Sequence, residues 1–206
     1  MSILGDRIGE RLLIATHNRG KLDEFAALLA PLGIAVVGAG DIGLAEPAET
    51  EDTFVGNARI KAQAALAATG LPVLADDSGI EVEALGNRPG VHTADWAIRP
   101  DGSRDFRMAM ERTWAELEAI AAPLPRRARF RATLVLAFPD GTEHLFEGQA
   151  PGTLTWPPRG AEGHGYDPMF IPDGQTLTFA EMSAAEKNRL SHRADALSKF
   201  IAALER

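Results

Sequence analysis

The 206-residue sequence contains no cysteine, which rules out disulfides, thiolate metal sites and cysteine nucleophiles and suits a reducing, cytoplasmic setting. It has no surplus of cations either. Twenty-one lysines and arginines face 29 aspartates and glutamates, for a net charge of -8, which would repel a polynucleotide because nucleic-acid binders rely on a basic surface. A small phosphorylated ligand is still compatible, since a few local cations or a bound metal are enough for it. Long apolar runs are missing as well. The longest, residues 25–40, is broken by Pro31 and Gly33 and falls short of the roughly 20 residues that span a bilayer, so no membrane partner is expected. Asp6, Arg7, Glu10 and Arg11 interrupt the start of the chain, leaving no apolar stretch for a secretory signal. What is present, 45% hydrophobic and 24% charged residues, is the composition of an ordinary globular protein with a real core.

The patterning predicts an alternation of strands and helices. Residues 12–16 read as a strand, followed by a helix with Leu22, Phe25, Leu29 and Leu32 at helical spacing, then a β-branched strand at 34–37. Asp52 or Thr53 can cap a helix running to about Thr69, stopped by Gly70, whose Ala58, Ala62 and Ala65 share a face able to lie close to a sheet. Residues 72–75 and 80–85 read as strands on either side of a turn at Asp76, Asp77, Ser78 and Gly79, and a helix is expected over 104–121. Alternation from Phe130 to Phe138 and the turn at Pro139, Asp140 and Gly141 mark a hairpin. Residues 156–173, crowded with glycine and proline, read as a loop. Ser183 and Glu186 form a capping box, and Leu190, Ala194, Leu197, Ile201 and Leu204 stripe a final helix. The expectation is one α/β domain over 1–206, an elongated mixed sheet flanked by helices in two lobes.

Five segments bear on chemistry. Gly38, Gly40 and Gly43 match a dinucleotide fingerprint, but Pro47 and an acidic stretch follow where a helix would have to begin, so the match is set aside as a loop. Thr16, His17, Asn18, Arg19, Gly20 and Lys21 end a strand and open a helix, where backbone N–H groups and the helix dipole favour an anion. The pattern is not a Walker A loop. Glu46, Glu49, Glu51 and Asp52 form one acidic cluster and Asp76 with Asp77 another, and hard Mg²⁺ takes one or two such carboxylates plus phosphate oxygens and water. Two adjacent aspartates between apolar strands would repel unless a cation or proton relieves them. His164, Gly165, Tyr166 and Asp167 place two rings in a flexible loop that could wall a nucleobase, and Lys187, His192 and Arg193 gather donors around a helical break.

In this order the segments resemble the inosine triphosphate pyrophosphatase family, the house-cleaning dITP/XTP pyrophosphatases. The resemblance rests on Thr16, Asn18, Lys21 and Glu24; on Thr53, Phe54, Asn57, Ala58 and Lys61; on Ala75, Asp76, Asp77, Ser78 and Gly79; on Gly165, Tyr166, Asp167 and Pro168; and on Ser191, His192 and Arg193. It implies a cleft between two lobes, a homodimer, and Mg²⁺-dependent hydrolysis of non-standard purine nucleoside triphosphates to monophosphate and pyrophosphate. It also implies that Thr16, His17, Asn18, Arg19, Gly20 and Lys21 embrace phosphates, and that Asp77 accepts a proton from water and shares the metal with Glu49, for which Glu51 is a competitor. Ser78, His164, Gly165, Tyr166, Asp167, Lys187, His192 and Arg193 would complete the substrate pocket. Two positions depart from the family pattern: His164 stands where phenylalanine is usual and His17 where glycine is frequent. On this reading Asp77 and Lys21 act on one triphosphate. A related pyrophosphatase for other nucleotides and a non-enzymatic nucleotide sensor are the alternatives.

Overall fold

The computed structural model describes residues 3–205. A short helix α1 (Ile3–Ile8), which no sequence signal announces, precedes strand β1 (Arg11–Ile14), helix α2 (Arg19–Leu29) and strand β2 (Ala35–Gly38). Asn18 caps α2 by accepting from the Lys21 backbone N–H, and α3 (Phe54–Thr69) runs from the cap Thr53 to Gly70, whose φ of 66° is the left-handed stop that glycine adopts without strain. After it come β3 (Val73–Val82), the two-residue β4 (Arg88–Pro89), α4 (Phe106–Ala119), β5 (Arg127–Ala137) and β6 (Glu143–Leu154). The chain ends with β7 (Phe170–Pro172), α5 (Ala184–Leu190) and α6 (His192–Leu204). The fold is mixed α/β, a central sheet flanked by helices, with strand order β2-β1-β3-β5-β6-β7 and β4 on β3. β1 lies parallel to β2 and β3, whereas β4 and β7 pair antiparallel with β3 and β6.

Two expectations change. The expected turn at 76–79 does not exist, because β3 continues through it without a break. Both aspartates are nearly buried there, and each meets a lysine that makes an ionised carboxylate tolerable inside a sheet. Part of the expected loop 156–173 is ordered as well: Asp167–Met169 forms a 3-10 turn and β7 closes on β6, with Thr153 opposite Ile171. The hairpin turn, the capping box at Ser183 and Glu186, and the helical break fall where the sequence puts them, Ser191 being extended at ψ 154° between α5 and α6.

The chain divides into two compact units. One takes the chain up to Asp77, then Thr133–Glu147 and the stretch from Ala196 onward; the other takes Ser78–Ala132 and Gly148–Asp195. In the first, Leu13 of β1, Ala15 just after it, Val73 and Ala75 of β3, and Val135 and Ala137 of β5 pack against Ala58, Ala62 and Ala65 of α3. Methyl side chains let the helix approach closely, and the period-2 alternation of β3 puts Asp77 on this same face. Asp76 belongs with Leu74 on the opposite face. The second unit has its own core, in which Ile80, Leu117, Phe130, Tyr166, Phe170 and Phe179 are buried together.

Candidate active site

Within the first unit, the loop after β1 and the N-terminus of α2 form a tight turn. Thr16 N–H bonds to the Ile14 carbonyl, Asn18 N–H donates to Thr16 Oγ1 at 3.1 Å, and Lys21 N–H donates to Asn18 Oδ1 at 3.2 Å. These bonds set Lys21 in the first turn of α2, with its side chain paired to Asp76. Arg19 points outward, towards Asp23 and Asp41, and Gly20 is exposed beside the Asn18 side chain. Of Glu24, the side chain lies outside the described residues.

Asp77 meets a different lysine. Lys61 Nζ sits 3.2 Å from Asp77 Oδ1, 2.9 Å from the Asp76 carbonyl and 2.9 Å from Glu49 Oε1. The sequence reading coupled Asp77 with Lys21; the structure pairs Lys21 with Asp76 and gives Asp77 to Lys61, because adjacent residues of a strand face opposite sides. Burial raises the Asp77 carboxyl and Lys61 lowers it, while the charges of Glu49 and Asp76 push it up again, so that it reaches about 6. Burial also opposes a charge on Lys61, but the carboxylates of Asp77, Asp76 and Glu49 outweigh it and raise the lysine's pKa. Lys61 and Asp77 are thus held together at low exposure, with the more exposed Glu49 at the edge of the cluster.

Asp77 Oδ2 is buried and has no hydrogen-bond partner among the described residues. A carboxylate oxygen in that condition suits a water proton or a hard cation. Glu49, one-third exposed, adds a second oxygen donor, and it rather than Glu51 is brought to Lys61. Glu51 is exposed, and its backbone N–H is tied to Asn57 Oδ1 at 2.9 Å. No group of three or more acidic, histidine or cysteine ligands occurs among the described residues. Two carboxylates with open positions fit Mg²⁺, which keeps waters and substrate oxygens in its shell, and would suit a closed zinc site badly.

The second unit assembles another polar cluster. Asp167, 3% exposed, accepts from Lys187 Nζ at 2.5 Å and from the His164 N–H at 2.8 Å. Gly163 has φ 73°, and a Cβ there would lie 2.2 Å from Asp167 Oδ2, so only glycine lets the loop fold onto that carboxylate. The His192 ring stacks on Phe130 at 4.9 Å and 14°, and His192 and Arg193 are each 7% exposed at the start of α6. Ser78 is half-buried in β3, and His164 is exposed.

Tyr166 is not a wall for a base. Its ring is 1% exposed in the core, set edge-on to Phe106 at 6.3 Å, with its hydroxyl 3.2 Å from Thr113 Oγ1 and its pKa pushed up to about 12 by burial. Gly165, at φ 67°, and Tyr166 can offer a ligand only their backbone.

Lys61 and Asn57 belong to the resembling motif, which assigns neither of them a role. The signal was available: α3 buries Phe54, Asn57, Ala58, Lys61, Ala62 and Ala65 as one helical stripe, and two polar residues on an otherwise apolar face point to a site.

Comparison with known proteins agrees. The model of the Ham1 family matches residues 12–203. A Ruegeria pomeroyi protein named dITP/XTP pyrophosphatase is 64% identical over 94% of each chain, and one of that name from Mesorhizobium japonicum is 53% identical over 95% of this chain and 93% of its own. Among solved structures, a Coxiella burnetii HAM1 protein superposes with a TM-score of 0.89 at 34% identity, covering 96% of this chain and 99% of that one. The Staphylococcus aureus Ham1 protein gives 0.81 at 32%, covering 95% and 98%. With a match that runs from β1 nearly to the end of α6, the chain belongs to the Ham1 family.

Proposed function

We propose that the protein hydrolyses non-standard purine nucleoside triphosphates, dITP, XTP and ITP, to the monophosphate and pyrophosphate. The observation that carries this reading is Asp77, a buried carboxyl raised to about 6 and held by Lys61, which also bonds Glu49, in a chain whose relatives are named dITP/XTP pyrophosphatase. A carboxylate with that pKa is ionised at neutral pH yet basic enough to take a proton in a transition state.

Asp77 accepts a proton from a water molecule at Oδ2 as the water oxygen attacks the α-phosphorus. The bond to the oxygen bridging the α- and β-phosphates breaks, and its electron pair leaves on pyrophosphate. Lys21 and the backbone N–H groups opening α2 offset the charge that collects there. Lys61 bonds both Asp77 and Glu49 and so links the two carboxylates through one ammonium. Asp77 and Glu49 would hold Mg²⁺, which when bound neutralises phosphate oxygens and polarises phosphorus.

The second cluster is assigned to the nucleoside. Lys187, His192 and Arg193 donate, and hypoxanthine and xanthine present a carbonyl acceptor at the 6-position where adenine presents an amino donor. A donor facing that amino group would be buried without a partner, at a cost of about 1–3 kcal/mol. His164 supplies an exposed ring and Ser78 a hydroxyl. From the family we further infer a cytoplasmic homodimer.

Pyrophosphate release from dITP, XTP, ITP, ATP and GTP, with and without Mg²⁺, tests the reading. Release from the first three, at least tenfold above ATP and lost on chelation, is expected. Binding of nucleotide with no release would make the protein a sensor instead.

A further inference from the structure

The loop that carries Glu49 is almost free of the body it crosses. Among the described residues, the backbone of positions 45–50 makes no hydrogen bond, and the segment's one polar side-chain contact joins Glu49 to Lys61. Residues 44–47 also line a cavity of about 330 Å³ shared with Ala15, His17, Ala39, Lys61 and alanines of α3, and positions 48–50 are exposed, so packing seats the Glu49 end of the loop little. Two side chains clamp its ends. Asn57 accepts the Glu51 N–H at one end, and at the other His17 Nε2 lies 2.7 Å from the Leu44 carbonyl oxygen. A carbonyl only accepts, so Nε2 carries the hydrogen and donates. The imidazole lies against Gly40, where an added Cβ would come within 3.5 Å of it.

We propose that His17 is a positioning residue: its bond to Leu44 ties the turn that precedes Lys21 to the loop bearing Glu49, and so fixes the distance at which Glu49 faces Asp77 and its cation. His17 reads as a phosphate contact by sequence position, but its Nε2 is already committed to the loop. The inference rests on the metal role proposed for Glu49 and Asp77. A divalent ion needs both oxygens presented together, and an unclasped loop lets one of them wander.

His17→Ala removes the donor, whereas His17→Gln places an amide N–H at nearly the same reach. Two measurements on protein without nucleotide decide the matter: Mn²⁺ binding followed by electron paramagnetic resonance, and ¹⁵N relaxation of the amides at 45, 46 and 48–50. His17→Ala is expected to weaken Mn²⁺ binding about five- to tenfold, the change carried by one net hydrogen bond, and to lower the loop order parameters below about 0.6 with an unchanged far-ultraviolet spectrum. His17→Gln is expected to restore most of both. Wild-type affinity and order in His17→Ala would overturn the proposal. A wild-type protein that binds no Mn²⁺ would instead overturn the metal assignment, and the order parameters would still decide the clasp.

Discussion

Asp76 and Asp77 are neighbours in sequence yet answer to different lysines, Lys21 on one side of β3 and Lys61 on the other. Strand alternation alone separates them. The two carboxylates still repel, Asp76 helping to push Asp77 up, but each has its own lysine to offset it. Only Asp77 combines burial, an unused oxygen and a second acidic neighbour, which makes it the basic member of the pair.

Asp77→Asn should lower kcat/KM by about 10²–10⁴ while leaving the fold in place. It should also stabilise the protein near neutrality. A carboxyl moved from its ordinary 3.8 to about 6 favours folding below pH 4, and that contribution is lost as the pH rises to about 6. Above it, the folded state bears a penalty of order 3 kcal/mol that asparagine escapes. Urea denaturation at pH 7.5 and pH 3.5 should show the variant ahead at the higher pH and level with wild type at the lower; equal stability at both would contradict the shift.

Lys61→Met removes the cation that holds Asp77 down, so the carboxyl should move above 6, by about 1–3 pH units, and Glu49 should lose its partner. Carboxyl-detected NMR titration of metal-free protein would follow this directly. Mg²⁺ should move the wild-type midpoint the other way, below 6, because proton and metal compete for one site. Turnover of Lys61→Met at pH 7 should fall at least tenfold.

Tyr166→Phe deletes a hydroxyl in contact with Thr113, whose own hydroxyl still donates to the Ala109 carbonyl at 2.9 Å. Stability should drop by about 1 kcal/mol with kcat/KM within a factor of two of wild type, read by denaturation and steady-state kinetics. A large loss of activity would return the ring to the substrate.

If Arg193 donates to the 6-carbonyl as proposed, Arg193→Ala should narrow the ratio of kcat/KM for ITP over ATP by about tenfold. The ratio is the telling quantity, because loss of a side chain this buried also lowers stability.

Elements whose signals are local were legible in the sequence. The Thr53 and Ser183 caps, the stop at Gly70, the hairpin at 139–141 and the helical break between Lys187 and His192 each follow from a residue's effect on its own stretch of backbone. Misreadings arose where distant residues decide. Aspartates discourage a strand, so β3 looked interrupted, and its continuity depends on Lys21 and Lys61, 55 and 16 residues away. The ring of Tyr166 seemed available for stacking because its loop is polar; the core that takes it in is supplied by α4. Which carboxylate belongs to which lysine is beyond the reach of a one-dimensional pattern.

Strands β3, β5 and β6 each start in one unit and finish in the other, crossing at Asp77, Ala132 and Glu147. No cut in the chain can therefore release either half with its strands whole, and neither could be transplanted onto another protein as a module. Such a chain is expected to melt in a single cooperative step, because unravelling any of these three strands removes backbone from both units at once.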